Sequence, residues 1–157
     1  MKTLITAAQV VAQAFGDGEY LAPEVVGEAD IAAAEHVWIE PVVGARLYAK
    51  LLEGEYASLV EEYVAPALAM AVRVVLQPAL NVRTGQTGLV IPSTPYAETA
   101  SAASATALMA SLRRRRQMLL RRLSDHLSNN DTLYPEYDAV GDVVKHCYRD
   151  GGIIQVL

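Results

Sequence analysis

The chain is poor in cysteine, in aromatics other than tyrosine, and in long apolar runs. Its one cysteine is Cys147, so no internal disulfide can form. Phenylalanine and tryptophan occur once each, and histidine three times. Nothing is spaced as a set of metal ligands, so no structural zinc site is expected. The longest apolar stretch, Val64 to Leu80, is broken by Pro66, Arg73, Gln77 and Pro78. It falls short of the roughly 20 apolar residues that a membrane span needs. The N-terminal stretch MKTLITAAQVVAQAF is interrupted by Thr6, Gln9 and Gln13, which leaves no continuous apolar region for an export signal. The expectation is a soluble, intracellular protein with no membrane partner. No G-x-S-x-G, H-E-x-x-H or C-x-x-C occurs, and Gly85-Gln86-Thr87-Gly88 lacks the Gly-Lys-Ser/Thr of a phosphate-binding loop. Neither an enzyme nor a bound cofactor or metal is expected.

What is present points to helices. The 157 residues are 52% apolar and 20% charged, enough apolar surface for one folded domain. Alanine occurs 25 times and leucine 18 times, the two residues that favour helix most. The expected fold is all-α: a bundle of four to five helices, a long loop or small β-hairpin at about 81–97, and an extended C-terminal tail. Residues 1–130 form the bundle, and 131–157 are a turn-rich tail of the same domain.

Local signals place the helices. Thr6-Ala-Ala-Gln9 is a capping box that opens a helix running to about Phe15. A second helix is expected from about Glu28 to Ile39, stopped by Pro41, and a third from Gly44 to Leu52. The fourth, Tyr56 to Leu80, repeats apolar residues at i, i+3, i+4 and i+7 and should be the most buried. Pro66 should kink it or start a new helix, and Pro78 should distort its last turn. Gly85, Gly88, Pro92 and Pro95 forbid helix beyond it, and Leu89-Val90-Ile91 could be one arm of a hairpin. The last long helix should run from about Glu98 to Ser128. Turns gather around Tyr134-Pro135-Glu136-Tyr137, and a short helix is possible near 140–148.

Charge is segregated along the chain. Residues 1–80 hold 4 basic and 11 acidic side chains, whereas 81–157 hold 9 basic and 7 acidic. Six of the 13 basic residues lie between Arg113 and Arg122. On a helical wheel Leu108, Met109, Leu112, Leu119, Leu120, Leu123 and Leu127 fall within an arc of about 120°. Arg114 and Arg121 lie opposite that arc, and Arg113, Arg115 and Arg122 flank it. Arg113, Arg114, Arg121 and Arg122 are therefore candidate interaction residues, for an acidic protein surface or for phosphates. Arg116 falls inside the apolar arc. A buried guanidinium needs a partner, so Arg116 is a candidate for an ion pair with Glu35, Glu40, Glu61 or Glu62.

Other chemical candidates are weaker. His36, His126 and the His146-Cys147 neighbours fit structural roles, because adjacent helical side chains point about 100° apart. Glu61 and Glu62 suit a helix start, where negative charge is favoured.

Glu28-Ala29-Asp30-Ile31, Ile39-Glu40-Pro41-Val42-Val43-Gly44, Leu47-Tyr48, Leu51-Leu52 and Tyr63-Val64-Ala65-Pro66-Ala67-Leu68 occur in that order. The arginine-rich helix and Tyr134-Pro135-Glu136-Tyr137 follow. Together they resemble the small helical head–tail connector (adaptor) proteins of tailed bacteriophages and prophages, most closely a group from phages of Bacteroidetes. The resemblance implies a structural virion protein of the neck, assembled in the host cytoplasm. It implies a homo-oligomeric ring of about twelve copies with a portal protein and tail or stopper proteins as partners. DNA would pass through the channel without specific binding. No catalytic residue carries over. The alternative from the residues alone is a small helical nucleic-acid-binding or regulatory module that uses the Arg113–Arg122 face. Steep salt dependence of duplex binding would mark it. An enzyme would instead need a pocket gathering His36, His126 or the Glu61-Glu62 pair.

Overall fold

The computed structural model describes residues 2–16, 19, 21–81, 83–85, 88–90 and 101–145. Helix α1 spans Ala7–Ala14 and opens with the expected capping box between Thr6 and Gln9. A single 3-10 turn follows at Pro23–Val25. Helix α2 begins at Glu28–Ala34, widens into a π-helical turn at Glu35–Ile39, and returns to α geometry at Glu40–Val43. Helix α3 spans Ala45–Glu53. Helix α4 repeats the pattern of α2: Ala57–Leu59, a π-turn at Val60–Val64, then Ala65–Asn81. Strands β1 (Arg83–Gly85) and β2 (Gly88–Val90) pair antiparallel, with Thr84 opposite Leu89. Helix α5 runs over Ala102–Asn129, and Ser101 caps its start by accepting from the Ser104 N–H. A 3-10 turn at Asp131–Leu133 leads into the last described segment.

The fold is all-α with a small hairpin after α4, as the composition implies. Helix α4 is its axis. Nearly every side chain from Ala65 to Leu76 is buried, and α1, α2 and α5 pack around it. Its alanines admit close neighbours, and Leu68, Met70 and Val72 fill the gaps.

Pro41 does not stop the second helix. Proline has no N–H to donate, and its ring collides with the carbonyl four residues back. Both π-turns lie just ahead of a proline and answer that conflict. The Glu40 N–H bonds the Glu35 carbonyl before Pro41, and the Ala65 N–H bonds the Val60 carbonyl before Pro66. The extra residue per turn relaxes the ring's clash, and the helix continues. The chain turns instead at Gly44, whose φ of +83° suits a residue without Cβ. Gly54 ends α3 at φ +94°. Pro78 sits within α4, which runs on to Asn81.

The described part of the tail, 131–145, folds back along α5. Tyr134 OH meets His126 Nε2 at 3.2 Å, and Asn130 caps the His126 carbonyl at 2.8 Å. Asp142 is fully buried. Its carboxylate accepts from the Ser124 hydroxyl, from Tyr137 OH at 2.6 Å and from the Val144 N–H at 2.9 Å. Tyr137's own partial burial, and then the hydrogen bond to Asp142, push its phenol up to about 12. Of the expected helix near 140–148, residues 143–145 are helical, 140 and 141 form the turn before it, and 146–148 lie outside the described residues.

Candidate functional site

Helix α5 divides into two faces, as its sequence requires. Leu112, Leu120, Leu123 and Leu127 are buried, with Met109 and Leu119 packed against them. Arg113, Arg114, Arg115, Arg121 and Arg122 are all exposed. The four candidate interaction residues thus share the outer surface of one helix. Leu108 is the exception on the apolar arc, since it is exposed.

Arg116 behaves differently from expectation. Among the described residues no carboxylate pairs with it. Its guanidinium carbon lies 3.5 Å from the centroid of the Trp38 ring. The electron-rich ring face substitutes for an anion. The proposed acidic partners are committed elsewhere or remain on the surface. Glu35 turns inward and accepts from the Leu4 N–H at 2.7 Å and from Tyr48 OH at 2.8 Å. Glu40 meets His36 Nδ1 at 2.6 Å. Glu61 and Glu62 are exposed. Arg116 Nε is buried without a hydrogen-bond partner. Burial, and secondarily the charge of Arg113, push the Arg116 pKa below its ordinary value; an arginine nevertheless keeps its proton.

Arg122 repeats the arrangement over the second π-turn, with its guanidinium carbon 4.7 Å from the Tyr63 ring centroid. Tyr63 stacks in turn on His126, centroids 3.9 Å apart, and His126 neighbours Tyr134. Trp38 and Tyr63 are both the fourth residue of their π-turns and both lie three residues before a proline. Trp38-Ile39-Glu40-Pro41 and Tyr63-Val64-Ala65-Pro66 are thus two copies of one local device. Each offers a ring to an arginine of α5. The shared aromatic, β-branched residue, spacer and proline are the signal that could have revealed it.

Met118 carries no charge and lies among the arginines of the outer face. It is 68% exposed. Its nearest neighbours on the helix surface, at i−4, i−3, i+3 and i+4, are Arg114, Arg115, Arg121 and Arg122. An exposed apolar side chain thus has four arginines as its neighbours along the helix surface.

A buried arginine with a carboxylate partner lies at another place. Arg73, in the middle of α4, is almost fully buried and reaches Glu19 with both Nη atoms, at 2.9 Å and 2.5 Å. It also donates to the Ala14 carbonyl and lies 4.4 Å from the Phe15 ring centroid. The hydrogen bond from Arg73, helped by the Gly16 N–H, holds the Glu19 carboxyl below its ordinary value. The lone arginine in an apolar helix was the sequence signal for it.

The remaining candidates do not converge. A cavity of about 540 Å³ opens between the N-terminal segment, α1, the end of α3 and the second π-turn. Glu61 lines it, together with Lys2, Gln9, Gln13 and Glu55, but neither His36 nor His126 does. His146 and Cys147 lie outside the described residues. Among the described residues no three His, Cys, Asp or Glu side chains gather to hold a metal, and no helix is long and apolar enough to cross a membrane.

By fold and site, the chain is a helical bundle with an arginine-bearing surface helix braced on two aromatic π-turns. It belongs to a family of unknown function, DUF6712, whose model matches residues 37–145. That span includes Trp38, Tyr63, the whole of α5 and the docked segment. No curated protein and no solved structure matches the chain.

Proposed function

We propose that the chain is a structural virion protein, a head–tail connector that forms a ring of about twelve copies below a portal protein and offers a docking surface to tail or stopper proteins. It would act in the virion neck and be assembled in the host cytoplasm. The observation that carries this proposal is the segregation of charge on a helical bundle. The outer face of α5 is basic, while the exposed side chains of the first half include Glu24, Glu28, Glu61 and Glu62. A ring is built from heterologous contacts, in which one patch meets a different patch on the next copy. Such a chain carries both halves of that contact. The connector resemblance of the helix and tyrosine segments supports the same role.

DNA needs to move through a connector without adhering, which suits a chain of net charge −5 and favours a ring whose arginines face a neighbour or the portal rather than the channel. Imaging tests the proposal. The purified protein, alone and mixed with the portal protein encoded in the same genome, should give rings with a central opening, or decorate the portal ring at one end. Particles with no ring in either sample, together with steep salt-dependent binding to duplex DNA, would favour the nucleic-acid-binding module instead.

A further inference from the structure

The geometry points to Met118 and its four arginines as the socket for a second copy of this chain, and to Val25 with Glu24 and Glu28 as the surface that fills it. The inference rests on the ring reading and names the two faces that meet.

Three observations carry it. An exposed methionine is a poor neighbour for water, and methionine and arginine are both enriched where proteins meet. Apolar contact at the centre with a charged rim is the usual layout of an energetically important patch. A face that only bound phosphates would gain little from the apolar side chain. The complementary layout exists elsewhere on the same chain. Val25 is 46% exposed, between Glu24 and the exposed Glu28 at the start of α2. Charge and apolar centre therefore match in kind and in sign.

Placement is the third observation. The Pro23–Val25 turn packs on α1, while α1 and α5 each pack along α4 and make no extensive contact with one another. The two patches thus lie on different flanks of α4. Patches so placed join copies head to tail rather than by a two-fold axis, which is what a closed ring needs. The bracing of Arg116 and Arg122 on Trp38 and Tyr63 fixes the surface before the partner arrives, which lowers the ordering cost of binding.

Charge exchange between copies tests this. Arg114→Glu with Arg115→Glu makes one variant, and Glu24→Arg with Glu28→Arg makes the other. Each alone should need at least about tenfold more protein for half-assembly than the native chain, equivalent to ~1.4 kcal/mol. Mixed in equal amounts they should recover assembly, because each reversed face meets its reversed complement. Met118→Glu should weaken assembly with no complementary rescue. All these positions are exposed, and circular dichroism checks folding. A second measurement does not depend on charge. In a Cys147→Ser background, Met118→Cys mixed with Val25→Cys should form disulfide-linked pairs between the two variants in preference to pairs of either alone. Native assembly with unaltered variants and no preferential crosslink would overturn the assignment of faces and leave the ring reading intact. A native protein that stays monomeric at every concentration and forms no ring on the portal protein would overturn both. If that monomer bound duplex DNA and lost the binding with Arg114→Glu and Arg115→Glu, the socket would belong to nucleic acid.

Discussion

The guanidinium of Arg116 rests over the indole of Trp38, 3.5 Å from the ring centroid, and takes no carboxylate among the described residues. A π-turn supplies the ring, and a proline two residues beyond that turn accounts for its presence. The same sequence of causes sets Tyr63 beneath Arg122. Local backbone chemistry in α2 and α4 thereby shapes the outer surface of α5.

Arg116→Met should therefore be tolerated, within about 1 kcal/mol of native stability, because the change removes an unsatisfied buried Nε and keeps an apolar stem on the indole. Trp38→Ala should cost about 3 kcal/mol, since it empties a half-buried site and strips the charge of its ring. Urea unfolding measures both. A loss of 3 kcal/mol or more for Arg116→Met would mean that an ion pair, not the ring, holds the residue.

Arg73 and Glu19 should respond in the opposite way to loss of one partner. Glu19→Ala leaves a buried guanidinium with only the Ala14 carbonyl and the Phe15 ring. Glu19 is partly exposed, so water screens some of the pair, and the cost should be about 2 kcal/mol rather than the larger values of fully buried pairs. Replacing Arg73 and Glu19 together with Met and Gln should recover part of that loss, as a double-mutant cycle would record.

Glu35 makes stability depend on pH in a predictable direction. Burial raises its pKa, and that outweighs the hydrogen bonds from the Leu4 N–H and Tyr48 OH. Between the ordinary glutamate value and the raised one, the folded chain holds a proton that the unfolded chain has released. Stability should fall as pH rises through that window. Glu19 has a lowered pKa, so its contribution is present above the ordinary value and is lost as pH falls through the lowered one. Glu35→Gln should remove the first slope and leave stability at neutral pH unchanged or higher. Unfolding midpoints across pH 3 to 8, a range spanning the ordinary carboxylate values, test both signs. A Glu35→Gln protein with the native pH profile would contradict the assignment.

Much of this fold was legible before any coordinates. Thr6 and Gln9 announced the first cap, the apolar repeat from Leu59 to Ala79 marked the buried helix, and Gly85, Gly88 and the Leu89-Val90 pair marked the hairpin. What misled was proline. Read locally, Pro41 ends a helix; in the fold a π-turn absorbs it, and that choice depends on where Trp38 and Ile39 find tertiary partners. The arginine face was legible because a helical wheel needs only sequence. The partner of Arg116 was not, because it sits on another helix whose rotation the π-turn decides. Arg73 was read as an interruption of an apolar run, while its carboxylate lies 54 residues away in the chain.

Asp142 should be the fastening of the segment 131–145. Asp142→Ala leaves the Ser124 and Tyr137 hydroxyls and the Val144 N–H without their acceptor in a dry site. The expected cost is about 3 kcal/mol, from more than one orphaned donor. Hydrogen exchange should quicken in 131–145 and leave α4 protected. Uniform quickening through α4 would mean that the segment and the bundle unfold as one unit.

The proposed ring requires copies of this chain to assemble through opposite charges. Native mass across concentration, at low and at high salt, tests it most directly. A closed ring would run as a single large species of about twelve copies that added salt loosens, because screening weakens exposed charge contacts. A monomer at every concentration and at both salts, with no ring formed on the portal protein, would contradict it.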